Sequence, residues 1–108
     1  MRAKRQDNLI GRWRIIETDL WDRDYLDMLD PAHITFRAGG RGDFAFGCVH
    51  ATLGGQPSGK ALSFTWTGFD ENDDVSGEGF AELQDDGTLE GEISFYNGDE
   101  ATFKAHRF

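Results

Sequence analysis

The sequence predicts an all-β domain: an antiparallel meander of seven or eight strands that closes into a barrel, with one short helix after the first strand. Apolar and polar residues alternate with the period of a strand over most of the chain. Turn-forming pairs such as Asp86-Gly87 and Asn97-Gly98 separate the alternating segments. Glycines also fall inside strand patterns, where they mark the bends and bulges of a closing sheet. They stand at positions 42, 47, 77, 79 and 91.

The elements follow one another in a simple order. A first strand spans residues 11–18, where apolar Trp13 and Ile15 alternate with arginines. Aromatic and aliphatic residues recur at helical spacing over residues 19–29, and Asp30-Pro31 ends that helix. Period-two segments then predict strands at residues 32–37, 43–50, 61–66, 77–83, 89–95 and 101–107. Residues 54–59 and 70–74 are predicted as loops because they are rich in glycine or acidic residues.

The length of the chain, 108 residues, fits one domain. We expect a flexible basic tail at residues 1–8 and a single barrel domain at residues 9–108. A lone cysteine, Cys48, allows no intrachain disulfide, and no apolar stretch follows the basic start as in a secretory signal. We therefore expect a cytoplasmic location. No apolar run approaches the ~20 residues of a membrane span, so no membrane association is expected.

The charge balance excludes one class of partner and favours another. The chain carries 20 acidic and 11 basic residues, for a formal net charge of −9. Binding to nucleic-acid phosphates needs a basic surface, so we expect no direct nucleic-acid binding. The stretch between Lys60 and Lys104 holds carboxylates but no lysine or arginine. Such a surface keeps a protein soluble, and it can also attract a basic partner.

Alternation places most of the large apolar side chains inside the barrel. The inward set is Trp13, Ile15, Ile34, Phe36, Phe44, Phe46, Cys48, Leu62, Phe64, Trp66, Leu83, Leu89, Ile93, Phe95 and Phe103. A barrel of eight strands is just wide enough to be filled by side chains or to hold one small ligand. The aromatic rings take much of that volume, whereas inward glycines at 77, 79 and 91 leave room along one wall. The sequence leaves open whether the barrel is filled or hollow.

Few residues are candidates for catalysis or metal binding. His50 continues the register of Phe44 and Phe46, which places it inward near one end, and the same register makes Cys48 a buried, inert thiol. Glu17 is the one acid whose register points inward, but a base there has no visible partner. The sequence shows no metal-ligand spacing, no Ser-His-Asp order and no phosphate-binding loop. We expect no metal and no cofactor, and the pattern favours a binding protein over an enzyme.

The two ends of the chain resemble a known superfamily. Gly11-Arg12-Trp13 on the first strand is similar to the G-x-W signature of lipocalins and other calycins. In that superfamily an arginine of the last strand packs across the tryptophan and closes the barrel, a role that the resemblance implies for Arg107. The T-D-Y motif of lipocalins is missing. The chain thus resembles a reduced calycin-like barrel, and also short bacterial proteins in which a GxW strand precedes a W-D-x-D-[YF] helix.

Three functions follow as hypotheses. The resemblance implies a small apolar ligand inside the barrel, contacted by Trp13, Phe44, Phe46, His50, Phe64 and Trp66, with Trp21 and Tyr25 at the mouth. The alternative is an acidic interaction or inhibitor module in which the barrel is filled and its surface binds a basic protein. The third is a homodimer formed through the outward residues Phe80, Tyr96 and Phe108, and a monomer stays equally open.

Overall fold

The computed structural model describes residues 9–96 and 98–108. Its elements are β1 (Gly11–Thr18), α1 (Arg23–Leu26), β2 (His33–Arg37), β3 (Arg41–Phe46), β4 (Val49–Ser58), β5 (Ala61–Asp70), β6 (Asp73–Leu83), β7 (Leu89–Phe95) and β8 (Glu100–Arg107). Each strand pairs antiparallel with the next, and β8 pairs with β1, so the sheet is a closed barrel. The predicted meander barrel is confirmed. The predicted tail at residues 1–8, and Asn97 of the predicted Asn-Gly turn, lie outside the described residues.

Two segments predicted as loops, 54–59 and 70–74, are largely strand. The β4–β5 turn takes only residues 59–60, and the β5–β6 turn only residues 71–72. Continuous pairing along β4, β5 and β6 forms the longest hairpins of the barrel. The prediction is wrong because the hydrogen bonds of an extended ladder outweigh the weak strand propensity of glycine, proline and aspartate.

The helix is a single turn and not the segment 19–29 that the sequence predicts. The carboxylate of Asp22 accepts a hydrogen bond from the Tyr25 backbone N–H at 3.0 Å and caps the start of α1. The predicted stripe consists of Trp21, Tyr25 and Met28 or Leu29, but Met28 and Leu29 are exposed, and the buried residue of α1 is Leu26. Helical spacing of apolar residues is weak evidence for a helix over residues 19–29, since short helices depend on tertiary packing for their stability.

The core occupies the inside of the barrel. Trp13 and Trp66 are 0% and 2% exposed, and each indole N–H donates to a backbone carbonyl, of Leu9 at 3.0 Å and of Glu78 at 3.3 Å. Buried aromatic nitrogen thus finds its acceptor, as burial requires. β4 adds inward residues that the predicted set omits: Val49, Ala51 and Leu53. Among the described residues, none of the buried side chains is polar or charged.

The turn between β3 and β4 overturns two predicted positions. Gly47 and Cys48 form this turn, so alternation restarts at Val49, which is buried, and His50 is exposed on the outside. The inward positions predicted for Cys48 and His50 are therefore wrong. The Cys48 thiol is half-buried and lies 3.7 Å from the Met28 sulfur. A tight turn inserted in an alternating run exchanges the two faces beyond it.

A bulge in β1 overturns a third predicted position. Ile15 pairs with Ala105, whereas Glu17 pairs with Lys104, so the register between β1 and β8 shifts by one residue. The extra residue turns Glu17 outward, where it is exposed. The predicted inward Glu17 is wrong, and an outward position spares the barrel the cost of burying a carboxylate without a partner.

Candidate functional site

One end of the barrel is closed by the residues of the G-x-W resemblance. The guanidinium of Arg107 lies over the Trp13 ring, 4.2 Å from its centroid. One guanidinium nitrogen of Arg107 also donates to the carbonyl of Ile10 at 3.1 Å. Arg12 lies over the ring of Phe108 at 4.5 Å nearby. This end, which we call the base, is covered by guanidinium groups and rings.

The residues predicted to contact an interior ligand, apart from His50, lie together inside the barrel. Phe44 stacks on Phe46 with ring centroids 5.8 Å apart, and it meets Trp66 edge to face at 5.2 Å. Phe64 contacts Phe36 at 6.4 Å. All of these side chains are almost completely buried. They contact one another as the members of a packed core do.

The glycine wall of the barrel is covered by these rings. A Cβ atom on Gly77 would lie 2.9 Å from the Trp66 ring, and one on Gly79 would lie 2.9 Å from the Phe64 ring. On β7, a Cβ atom on Gly91 would come within 2.8 Å of Phe103. Aromatic rings therefore take the space that the absent side chains leave. A ligand inside the barrel would have to displace them.

The end opposite the base gathers four connections. In an up-and-down barrel, alternate connections lie at the same end, so the turns β3–β4, β5–β6 and β7–β8 meet the β1–β2 connection that carries α1. We call this end the mouth. The sequence brings acidic residues to several of these connections at once, although the connections are far apart along the chain.

Aromatic rings form the floor of the mouth. The structure places Trp21 and Tyr25 there, both half-buried, with ring centroids 5.8 Å apart. Trp21 also lies 5.0 Å from Phe46 and 6.3 Å from Phe95, and Phe95 reaches Trp66 in the core at 4.9 Å. Trp21 thus covers the end of the core and keeps part of its ring accessible from outside.

Hydrogen bonds and one ion pair hold the β1–β2 connection in place. Arg14 donates to the Asp27 carboxylate at 2.8 Å, and the other oxygen of Asp27 accepts from the Ala32 N–H at 2.9 Å. The Gly47 N–H donates to the Leu26 carbonyl at 2.9 Å. The connection that carries Trp21 and Tyr25 is therefore anchored to β1, to β2 and to the β3–β4 turn.

Carboxylates surround the aromatic floor. A concavity of about 620 Å³ is bounded by the rings of Trp21, Tyr25 and Phe95 and by four aspartates, Asp70, Asp73, Asp74 and Asp99. Within the part of the chain that the structure describes, these four carboxylates have no basic group within 4.0 Å, whereas Asp27 and Asp43 are ion-paired. Burial, followed by the negative charge of Asp70, raises the pKa of Tyr25 above its ordinary value.

Sequence reasoning missed most of this site. Trp21 and Tyr25 were expected at a mouth, but Asp70, Asp73 and Asp74 were interpreted as a solvated loop, and Asp99 was not singled out. The signal that could have found them is topological. Acidic residues in alternate turns of a meander converge once the barrel closes. Among the described residues, no group of three His, Cys, Asp or Glu side chains is placed to hold a metal ion.

The outward aromatic residues considered for a homodimer do not form one patch. Phe108 lies at the base against Arg12, Tyr96 lies in the β7–β8 turn at the mouth, and Phe80 lies in the middle of β6. The three side chains are exposed by 60%, 63% and 43% respectively. The three residues therefore give no continuous aromatic patch, and the oligomeric state stays open.

The fold and the mouth define the class of the molecule: a small eight-stranded antiparallel β-barrel, compatible with a calycin-like fold, with an acidic aromatic concavity at one end. Comparisons of the chain with protein-family models, with curated proteins and with solved structures find no match. In residues 9–96 and 98–108, no helix is both long enough and apolar enough to cross a bilayer.

Proposed function

We propose that the protein is a binding module without catalytic activity, which takes a basic segment of a partner protein at the mouth of the barrel. The observation that carries this proposal is the set of carboxylates around Trp21 and Tyr25, which have no basic group within 4.0 Å in the part of the chain that the structure describes. An inhibitor that occupies a basic surface of its partner is one form of this function.

The chemistry of the mouth suits a lysine or arginine side chain. A cation placed over an aromatic ring gains about 0.5–1 kcal/mol at an exposed site, and more when water is excluded. Carboxylates such as Asp70 and Asp73 would neutralise the charge of the bound lysine or arginine. The bound cation would in turn reduce the repulsion between these carboxylates. The net charge of −9 would also speed encounter with a basic partner.

The packing inside the barrel supports this function over an apolar interior ligand. Phe64 and Trp66 lie against glycines, so an interior ligand would need room that the rings already occupy. Native mass spectrometry of protein purified gently from its own cells separates the two hypotheses. A small apolar molecule that co-purifies reproducibly would favour the interior ligand and count against the mouth.

Tryptophan fluorescence gives a direct test at the mouth. Trp13 and Trp66 are almost completely buried, so quenching and spectral shifts on binding should report on Trp21. We expect a saturable change with an oligolysine peptide and none with an oligoglutamate peptide. The affinity for oligolysine should fall as salt is added, since exposed charges are screened over about 8 Å at physiological ionic strength.

A matched pair of triple variants locates the binding. One variant combines Asp70→Asn, Asp73→Asn and Asp74→Asn. The control combines Glu78→Gln, Glu82→Gln and Glu92→Gln on the outer face of β6 and β7 and removes the same number of charges. We expect at least a roughly tenfold loss of oligolysine affinity in the first variant and a much smaller loss in the second. Equal losses would mean general attraction to an acidic protein and would contradict a site at the mouth.

A further inference from the structure

A second concavity, of about 700 Å³, lies on the outside of the barrel across β2 to β6. Cross-strand pairing brings one row of outward residues to its first wall: His33, Ala45, His50, Phe69 and Asp74. Residues two positions away on the same strands form the second wall, because they point to the same side of the sheet. We call this concavity the lateral trough.

The second wall consists of short polar side chains. Asp43 pairs with Thr52, Thr52 with Thr67 and Thr67 with Ser76, each on the neighbouring strand. The hydroxyl groups of Thr52, Thr67 and Ser76 therefore stand in one cross-strand row, two residues along β4 from His50. Hydroxyl and imidazole groups each donate and accept hydrogen bonds, so the trough offers both hydrogen-bond donors and acceptors along its length.

One large apolar side chain stands in this polar setting. Phe69 lies between His50 and Asp74 in the first wall, and 55% of its surface is exposed. Exposing a phenyl group of this size costs free energy that burial would recover. A ring flanked by hydrogen-bonding groups presents its face to a ligand that is apolar on one side and polar at its edges.

The charges of the trough disfavour anionic ligands. Asp74 and the net charge of the protein repel anions. Asp43, at the other end, is already ion-paired to Arg37 at 2.6 Å and lies 3.8 Å from His33, so Asp74 is left as the one trough carboxylate without a basic partner among the described residues. An aliphatic ligand would leave the hydroxyl and imidazole groups without partners. A neutral ligand with many hydroxyl groups satisfies all of these conditions.

We propose that the lateral trough binds a neutral saccharide. The C–H face of one sugar ring packs on Phe69, and its hydroxyl groups exchange hydrogen bonds with His50 and Thr67. This site is distinct from the mouth, because among the described lining residues only Asp74 and Val75 border both concavities.

An array that carries neutral and anionic glycans tests the ligand class. We expect the full chain to bind one or more neutral glycans, and the best neutral glycan to shift backbone amide resonances of Phe69, His50 and Thr67 in an NMR titration. Failure to bind any neutral glycan, or stronger binding to the anionic ones, overturns the proposal. Amide shifts confined to the mouth overturn it as well.

Two exposed phenylalanines give a matched pair of variants for the position. Phe69 and Phe80 both point outward from long strands of the barrel, and Phe80 lies outside the trough. We expect Phe69→Ala to weaken glycan binding about tenfold or more and Phe80→Ala to leave it nearly unchanged. Both variants should keep the affinity for oligolysine, which confirms their fold. Equal losses of glycan affinity in the two variants would refute binding in the trough.

Discussion

Arg107 on the last strand and Trp13 on the first are paired in register, and the guanidinium of Arg107 also covers the Trp13 ring at 4.2 Å. The contact lies where β8 meets β1 and the barrel closes. Gly11 leaves room for this contact, because a Cβ atom at that position would lie 2.5 Å from a guanidinium nitrogen of Arg107. The spacing of glycine and tryptophan in the first strand thus has a physical reason in the closure of this barrel.

Removal of the guanidinium should destabilise the closed barrel. We expect Arg107→Ala to lower the free energy of unfolding by about 1 kcal/mol, since an exposed cation over an aromatic ring contributes about that much. Arg107→Lys should retain only part of it, because an ammonium group lacks the planar stack. Urea-induced unfolding measures both. Arg12→Ala, which removes a similar contact with Phe108, is the control and should cost less because the Phe108 side chain is 60% exposed.

The packing of rings against glycines predicts a penalty for a single methyl group. A Cβ atom at position 79 would meet the Phe64 ring and the carbonyl of Glu92, so Gly79→Ala should destabilise the protein by about 1–3 kcal/mol. Gly54→Ala is the control, since nothing lies within 4 Å of its Cβ position. Denaturant unfolding compares the two. A Gly79→Ala protein as stable as the parent would mean that the barrel holds free space.

Asp27 is expected to hold the connection that carries the aromatic floor. Asp27→Ala removes the acceptor for both Arg14 and the Ala32 N–H, so the free energy of unfolding should fall by about 1.5–3 kcal/mol. Asp27→Asn should cost less because its amide oxygen can still accept one hydrogen bond. Asp24→Ala, at an exposed residue of α1, should change stability by less than about 0.5 kcal/mol. Comparable effects of Asp24→Ala and Asp27→Ala would contradict the role of Asp27.

The raised pKa of Tyr25 predicts a change of stability at alkaline pH. Burial and the charge of Asp70 favour the neutral phenol in the folded protein. The stabilisation that follows is complete below the pKa of an unfolded tyrosine, about 10, and is lost as the pH rises through the higher folded value. Urea unfolding at increasing alkaline pH should show this loss, and Tyr25→Phe should reduce it.

A spectroscopic titration tests the cause of that shift. In a Tyr96→Phe background Tyr25 is the only tyrosine of the chain, so phenolate absorbance reports on it alone. Asp70→Asn should lower the pKa of Tyr25. Asp86→Asn, in the β6–β7 turn at the opposite end of the barrel, should leave the titration unchanged. An identical titration before and after Asp70→Asn would show that the carboxylate has no part in the shift.

The fold class and most of the core follow from local patterns in the sequence. Alternation of apolar and polar residues is a local property, and it identified the inward faces around Phe44 and Phe46 and around Phe64 and Trp66 correctly. The order of strands also follows from local signals, because short turns connect neighbours in a meander. Arg107 could be paired with Trp13 only through the resemblance, since no local pattern joins the two ends of a chain.

The positions of the residues in the two proposed sites depend on tertiary contacts. The turn at Gly47 and Cys48 places His50 on the outside of the barrel. The bulge in β1 turns the Glu17 carboxylate outward as well. Strand pairing lined up Phe69 with His50, and barrel closure brought the acidic turns to the aromatic floor. Register and convergence depend on hydrogen bonds and packing between residues distant in sequence. Such contacts leave no periodic trace along the chain, which is why alternation predicted the core but not the sites.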